Sequence, residues 1–230
     1  MRKGFRVAMI GFLAAAATAW AVPAAWVADF TPSSWNPAVG DVVNFAACDS
    51  CLGSGSYTYD WDFNSDGVVD AATSSTLTAC TFSTAGFYAV KLTERDAGGR
   101  EETRSKGVLV GAIPAYGVRE VIAEADGAVF VSITIVIGST ANAIGLMESI
   151  PSGWQVELVD TAGAMAKVNS ETRTIEVGWL TQAAPGDQVV FTYRLYSNYS
   201  TQVTTLSGEV SGYVHGARFA APVCGELAIP

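Results

Sequence analysis

In the stretch DFNSDGVVD, residues 62–70, alternate positions carry the oxygen-bearing side chains of Asp62, Asn64, Asp66 and Asp70, and only position 68 breaks the series with a valine. Calcium takes oxygen ligands around a sharply turning chain, with a glycine at the sixth position of the loop. Gly67 occupies that position, but Thr73 replaces the bidentate glutamate of the twelfth position. The expected affinity is therefore that of extracellular modules, about 10⁻⁴–10⁻³ M. The predicted calcium ligands are Asp62, Asn64, Asp66, the carbonyl of Val68, and Asp70.

The same residues also fit an ordinary turn between two strands. Asn, Asp and Gly tolerate left-handed backbone, and Asp or Asn side chains bond the backbone of their own turn. Aromatic and aliphatic residues flank the loop on both sides, which predicts strands rather than the helices of an EF-hand. The residues alone leave both interpretations open, a cation site and a structural turn.

Four cysteines form the second group of residues with possible chemistry. Cys48 and Cys51 have the spacing of half a zinc knuckle, but Cys80 and Cys224 are isolated and His215 is the single histidine. These features disfavour zinc and favour disulfides in an oxidising compartment. Three pairings are possible. At least one bridge is predicted among Cys48, Cys51 and Cys80, and the remaining cysteine is either free or meets Cys224, within one subunit or between two.

The N-terminus carries the pattern of an export signal. A basic start and an apolar run over residues 7–17 precede small residues of the cleavage-site type. We expect a signal peptide over residues 1–24, cut after Ala21 or Ala24. An extracellular or cell-surface protein without a transmembrane span would result. The alternatives are an uncleaved membrane anchor and a pilin-type leader cut after Gly4.

Charge and histidine content narrow the classes of function. The 230 residues carry a formal net charge of −9, which argues against nucleic acid as a partner because phosphate binding needs clustered Lys and Arg. One histidine, His215, lies between turn glycines and is predicted to be a surface residue. No pair of carboxylates has the spacing of a glycosidase, so no catalytic residue is assigned and no enzyme is expected. The carboxylates predicted to lie on solvated faces are Glu124, Asp126, Glu148, Glu157 and Asp160.

Strand-like stretches follow the leader, separated by turn residues about every 8–12 positions. They are rich in Val, Thr, Tyr and Phe, and none has convincing helical periodicity. This pattern predicts an antiparallel β-sandwich. The predicted strands of the first half are 41–47, 56–63, 75–82, 86–96 and 106–112, and those of the second half lie within 128–138, 142–160, 174–180, 185–196 and 204–214.

Three motifs lie between residues 28 and 110: Val39-Gly40-Asp41, Trp61-Asp62-Phe63 with Asp66-Gly67, and the stretch from Phe82 to Gly98. With these motifs, residues 28–110 resemble a PKD domain, an immunoglobulin-like sandwich of secreted and surface proteins. The resemblance implies that the Trp61 and Phe63 rings fill the core while Asp62 faces outward. Phe82 stands where the family usually has Tyr, and the family pattern does not require the three cysteines.

The second half is similar, more weakly, to an immunoglobulin-like module that accompanies PKD repeats. Its large aromatic residues are expected in the core rather than in a sugar-stacking platform: Trp154, Trp179, Tyr193, Tyr196 and Tyr199. The predicted architecture is all-β, with two immunoglobulin-like antiparallel β-sandwich domains in tandem after the signal segment. The predicted boundaries are 28–111 and 112–222, with a tail over 223–230.

These features predict a non-catalytic secreted or cell-surface protein with a structural or adhesive function. The PKD resemblance implies assembly with other copies of the chain or with other surface proteins, in an array or a filament. The alternative is a carbohydrate-binding accessory module whose partner is a polysaccharide. Asn198 begins an N-glycosylation sequon, which has meaning only where the host attaches N-glycans.

Overall fold

The computed structural model describes residues 27–48, 51, 55–124, 126–180, 182–197 and 204–229. Within these ranges the chain forms β-strands and no α-helix, which confirms the predicted all-β class, and no helix there could cross a membrane. The predicted signal peptide, residues 1–24, lies outside them. The strands are β1 Phe30–Pro32, β2 Val42–Ala47, β3 Tyr57–Asp62, β4 Ala71–Thr73, β5 Leu77–Thr81, β6 Gly86–Asp96, β7 Glu101–Val110, β8 Ala115–Ala123, β9 Val129–Ile137, β10 Asn142–Ser149, β11 Gln155–Asp160, β12 Met165–Asn169, β13 Thr174–Trp179, β14 Gln188–Tyr196, β15 Thr204–Thr205, β16 Gly208–Val214, β17 Ala217–Pro222, β18 Cys224–Glu226 and β19 Ala228–Ile229.

The N-terminal sandwich packs the antiparallel sheet β1-β2-β5 against strands β7, β6, β3 and β4. Inward residues alternate with outward ones along β2, as expected for a strand with one buried face. The Trp61 ring is fully buried at the centre, 5.2 Å from the Phe30 ring and 5.6 Å from the Phe45 ring. Phe63 stacks 6.0 Å away. The core positions predicted for Trp61 and Phe63 are confirmed.

The C-terminal sandwich packs the sheet β12-β13-β10-β16-β17 against strands β11, β14, β9 and β8. Every second residue of β9 is buried from Val129 to Ile137, and these side chains form the middle of the second core. Gly117 in β8 keeps the layers close, because a Cβ there would lie 3.0 Å from Val210 and 3.2 Å from Ile133.

A single nine-stranded sheet runs through both sandwiches, in the order β11-β14-β9-β8-β18-β7-β6-β3-β4. Its middle strand, β18, comes from the segment predicted as a C-terminal tail. β18 pairs parallel with β8 and antiparallel with β7, so the last residues of the chain connect the two halves. Gly225 permits this insertion. It has φ +79°, and a Cβ there would lie 2.2 Å from the Arg119 carbonyl oxygen.

The segment between β1 and β2 continues the contact beside β18. Leu109 N donates to the Trp35 carbonyl (2.9 Å), and the Asn36 amide donates to the carbonyls of Leu109 (2.6 Å) and Gly111 (2.8 Å). Leu109 also packs in a small cluster with Ala221 and Cys224. Both faces of the end of β7 are therefore covered, one by the N-terminal core and the other by this junction.

Candidate functional site

The predicted calcium loop connects β3 to β4, and the Asp62 carboxylate accepts hydrogen bonds from several of its backbone N–H groups. Asp62 Oδ1 accepts hydrogen bonds from the backbone N–H groups of Asn64 (3.3 Å) and Asp66 (3.2 Å), and Oδ2 accepts one from Gly67 (2.9 Å). The side chain is buried, so the prediction that Asp62 faces outward is wrong. Trp61 and Phe63 face the core, so Asp62 lies on the other face of the strand, and it is buried there because the loop folds over its carboxylate and donates several backbone hydrogen bonds to it.

The other polar side chains of the loop bond to one another and to the loop backbone. Asp66 N donates to Asn64 Oδ1 (3.0 Å), Asn64 Nδ2 donates to Asp66 Oδ2 (3.0 Å), and Val68 N donates to Asp66 Oδ1 (2.8 Å). Asp70 Oδ2 accepts from Phe63 N at 2.7 Å. Gly67 has φ +87°, the left-handed conformation that the turn requires. The loop is thus a nested set of side-chain-to-backbone turns.

The structure brings the predicted ligands into one short loop, and each of their carboxyl or amide groups already bonds within it. Over the described ranges, no group of three or more His, Cys, Asp or Glu side chains is arranged to hold a metal ion. These internal hydrogen bonds are the ones expected of a structural turn. Calcium binding by Asp62, Asn64, Asp66, Val68 and Asp70 stays a prediction.

An open cleft of about 350 Å³ lies beside this loop, between the edges of the two N-terminal sheets. Its lining combines aromatic rings with a carboxylate, an amide, hydroxyls and a thiol: Phe63, Asn64, Asp70, Cys80, Thr81, Phe82, Ser83 and Tyr88. The Phe82 and Tyr88 rings lie 4.5 Å apart, and the Tyr88 hydroxyl pairs with Thr84 Oγ1 at 2.7 Å. Such a surface can bind a small polar ligand in two ways, by packing against the aromatic rings and by hydrogen bonds to the polar groups.

The cysteines divide into one bridge and two thiols. Cys48 and Cys51 form a disulfide with a Cα–Cα distance of 5.3 Å, which confirms a bridge among the first three cysteines. Cys80 and Cys224 are free. Burial, and after it the nearby Asp70 carboxylate, raises the pKa of the Cys80 thiol. Deeper burial raises the pKa of Cys224 to about 12. Cys224 is therefore a core residue rather than a reactive tail thiol.

A buried polar cluster crosses the C-terminal core, and sequence reasoning missed it. Arg119 Nη2 donates to Glu148 Oε1 (2.7 Å) and Oε2 (2.8 Å), and Arg119 Nε donates to Oε2 at 3.1 Å. The Tyr193 hydroxyl donates to Glu148 Oε2 at 3.0 Å. Gly208 makes room, because a Cβ there would lie 1.6 Å from Glu148 Oε1. The prediction that Glu148 lies on a solvated face is therefore wrong.

Burial and pairing act in opposite directions on the charges of this cluster. Burial raises the pKa of Glu148, while the Arg119 charge and hydrogen bonds lower it. Burial alone would lower the pKa of Arg119, but the Glu148 carboxylate and the Tyr193 hydroxyl raise it above its usual value. Burial, and then the Glu148 carboxylate, holds the pKa of Tyr193 well above its usual value. We take the Arg119–Glu148 pair to be ionised at neutral pH, because three hydrogen bonds join the two groups.

Glu226 in β18 links the two cores. Its carbonyl accepts from Arg119 Nη1 at 2.7 Å, and its Oε1 lies 2.9 Å from Lys106 Nζ. Arg104 Nη2 lies 2.8 Å from Oε2, a charge contact without a hydrogen-bonding angle. Lys106 also pairs with Asp29 Oδ1 at 2.5 Å. One residue of β18 thus contacts charged groups of both halves.

The other predicted surface and core residues lie as follows. Glu124 and Asp126 pair with Arg194, and Glu157 and Asp160 are exposed, in agreement with solvated faces. His215 is exposed in the β16–β17 turn, as predicted. Three of the large aromatic residues are buried in the core, Trp154, Trp179 and Tyr193, whereas Tyr196 is 40% exposed. Tyr199 and the Asn198 sequon lie outside the described residues.

No family model and no curated protein matches the chain. Among solved structures, one of carbohydrate-binding modules of the β-sandwich superfamily is 14% identical, with 89% of this chain and 98% of that one covered and a TM-score of 0.34. The collagen adhesin of S. aureus is 12% identical, with 90% and 95% covered and a TM-score of 0.34. The major pilin SpaD of Corynebacterium diphtheriae is 9% identical, with 75% and 60% covered and a TM-score of 0.41. Because these sequence identities and TM-scores are low, the function of this chain has to be argued from its own residues.

Proposed function

We propose that this chain is a non-catalytic structural or adhesive protein of the extracellular surface, which works through assembly with other proteins. The observation that carries the proposal is the nine-stranded sheet that both cores share. Domains in one chain usually move relative to each other unless a large interface joins them. Here backbone pairing through β18 replaces a flexible linker, which suits a protein that holds contacts at a fixed distance.

The placement of the charged groups supports a structural role over a catalytic one. Catalytic acids and bases have to face a cleft where substrate can reach them. The most deeply buried charged pair, Arg119 and Glu148, is instead engaged with Tyr193 and the Glu226 carbonyl inside the core. These groups stabilise one arrangement of strands.

Two sequence features support the finer assignment. The N-terminal sandwich carries the PKD-like motifs around Trp61 and Asp66, and its disulfide between Cys48 and Cys51 suits an oxidising compartment. The export signal predicted over residues 1–24 agrees with this location. We therefore assign the chain to surface arrays or filaments, with other copies or other surface proteins as partners.

Fractionation and immunogold electron microscopy of the source cells test this proposal. We expect the protein outside the cell, in assembled material that antibodies against the C-terminal sandwich decorate at regular intervals. A cytoplasmic protein included as a fractionation marker controls for lysis. Recovery of the chain only from the cytoplasm, or only as dispersed molecules, would overturn the proposal.

A second candidate function is carbohydrate binding in the cleft beside the loop. The observation that favours it is the mixed lining, in which the Tyr88 ring adjoins the polar groups of Asn64, Asp70 and Ser83. Sugars bind through this combination of ring faces and hydrogen bonds. A glycan array with the wild type and Asp70→Ala tests it. Binding that the substitution removes would favour this function, and absence of binding across the array would reject it.

A further inference from the structure

Among the sheet edges that the structure describes, the β5 edge differs from the others in lacking protection against strand addition. Natural sheets discourage strand addition at their edges by charge, proline, bulges or shortness. β12 carries Lys167, β17 carries Arg218 and Pro222, and β11 carries Glu157 with a shift in register. β1 and β4 have three residues each, and β15 and β19 have two. β5, with the sequence LTACT, has five residues and none of these devices.

The absence of charge extends well beyond β5. Residues 71–90 contain no charged side chain, in a chain with 35 charged residues among 230. The outward face of the β1-β2-β5 sheet is also uncharged and exposed, and its two large aliphatic side chains are Val42 (64% exposed) and Leu77 (63% exposed). The full set on this face is Thr31, Val42, Asn44, Ala46, Leu77, Ala79 and Thr81.

The backbone of β5 presents hydrogen-bonding groups at this edge. Ala47 N donates to the Thr76 carbonyl at 2.8 Å, so these two residues form a hydrogen-bonded pair of the β2–β5 ladder. Such pairs alternate along an antiparallel ladder, and the register of β2 with β5 has no shift. The backbone groups of Leu77, Ala79 and Thr81 therefore point away from β2, toward the open edge.

We propose that β5 is a self-association surface, on which the β5 strand of a second copy pairs in antiparallel orientation about a two-fold axis. This inference rests on the proposed function and names one contact within its assembly, the contact between two copies. The distribution of charge favours a second copy of this chain as the partner. Two chains of net charge −9 repel each other over most of their surfaces, and they repel least where charge is absent. A basic partner would instead be attracted to the acidic faces.

The two-fold register places Ala79 opposite Ala79 of the second copy, and Leu77 opposite Thr81. The Ala79 pair exchanges both of its backbone hydrogen bonds, since these groups point toward the edge. Leu77 N now bonds Ser75 Oγ at 3.1 Å and would exchange this partner for the second copy. The result is a six-stranded sheet with a continuous uncharged outer face. An isologous contact of this kind closes as a dimer.

A charge-swap experiment on the full chain tests the register. Ala79 is exposed, so Ala79→Lys and Ala79→Glu are expected to fold, and identical charges would face each other at the two-fold axis. We expect wild type to sediment at about twice the monomer mass in analytical ultracentrifugation. Each variant alone should show at least a tenfold higher dissociation constant, and an equimolar mixture of the two should recover the dimer.

Met165→Lys is the matched control. Met165 is 64% exposed on the edge strand β12, so this change adds the same charge to an equivalent position on another sheet. We expect it to dimerise like wild type, and circular dichroism should show native strand content in every variant. Because both copies are acidic, raising the salt concentration should strengthen the wild-type dimer.

Several outcomes would overturn the inference. They are a wild type that is monomeric at all concentrations, an Ala79→Lys variant that still dimerises, and a mixture of the two charge variants that stays monomeric. Pairing of a monomeric wild type with an extended segment of another protein at β5 would also overturn it, by assigning a different partner. Localisation by microscopy is independent of these results. Surface assembly that persists in the Ala79→Lys protein would show that the assembly does not require the β5 contact, and it would leave the proposed function intact.

Discussion

Removing one partner of the buried Arg119–Glu148 pair should destabilise the protein far more than removing both. Both side chains are fully buried, and Arg119→Met would leave the Glu148 carboxylate with only the Tyr193 hydroxyl as a donor. Leaving a buried charge without its partner costs about 3–5 kcal/mol, whereas replacing the whole pair by neutral groups is often neutral or stabilising. A stability of about 5–15 kcal/mol is usual, so the single variant should lose a large share of it.

Urea unfolding followed by tryptophan fluorescence measures this effect in a double-mutant cycle. We expect Arg119→Met to lose about 3–5 kcal/mol at pH 7 and the double variant Arg119→Met/Glu148→Gln to lose much less. The exposed pair Arg218–Glu209, at 3.1 Å, provides the control. Arg218→Met should cost less than about 1 kcal/mol.

The stability of the Arg119→Met variant should also depend on pH in a characteristic way. Without Arg119, burial raises the folded-state pKa of Glu148 further above its unfolded value. The folded state then binds the proton more tightly than the unfolded state. Stability is therefore greatest below the unfolded pKa, near 4.5, and falls as pH rises through the folded pKa. The loss caused by Arg119→Met should shrink toward pH 4. A loss below about 1 kcal/mol at pH 7, or a double variant as unstable as Arg119→Met alone, would refute the reasoning.

The remaining predictions concern the junction and the loop. With a pKa of about 12, Cys224 is thiolate in only about one molecule in 10⁴ at pH 8, so native-state alkylation read by mass spectrometry should modify Cys80 and spare Cys224 until the protein unfolds. Because the folded state raises this pKa from 9.0, the neutral Cys224 thiol contributes stability that is complete below pH 9 and is lost as pH rises from about 9 to 12. In Cys224→Ala, the free energy of unfolding in urea should no longer show this fall. Gly225→Ala should cost at least about 2 kcal/mol in urea unfolding, since a Cβ would meet the Arg119 carbonyl at 2.2 Å in a left-handed conformation, and an unchanged midpoint would contradict the inserted strand. Asp62→Ala should cost about 1–3 kcal/mol, in calcium and in chelator alike, because three partly buried backbone N–H groups of the loop lose their acceptor. A wild-type melting temperature that rises in millimolar calcium would instead support the calcium interpretation.

The regular strands could be predicted because one face of each is buried. β6, Gly86–Asp96, matches the predicted range 86–96, and β9 lies within 128–138, since long alternating runs depend little on context. The core position of Trp61 is predicted by the PKD resemblance, and the structure confirms it. The predicted bridge among the first three cysteines followed from their closeness in one small unit.

The junction could not be predicted, because tertiary contacts decide it. β18 consists of Cys224, Gly225 and Glu226, a stretch too short for any periodicity, and it becomes a strand only between β7 and β8. Glu148 looks like a surface residue until Arg119, 29 positions earlier, is placed across the sandwich from it. Gly208 and Gly117 carry a signal of close packing, but one sequence does not say which neighbour requires the space.

The buried charges explain how so short a strand finds one register. A one-residue slip would turn each side chain of β18 to the opposite face, and the sequence of β18 offers no hydrophobic pattern to prevent it. Glu226 prevents it instead, because only one register directs its carboxylate to Lys106 and its carbonyl to Arg119. Buried ion pairs add little net stability, but they penalise every arrangement that separates them. The fixed relation between the two cores therefore depends on charge placement together with the backbone pairing of β18 and the space that Gly225 leaves, and none of these groups lies at the uncharged β5 edge proposed for the contact between copies.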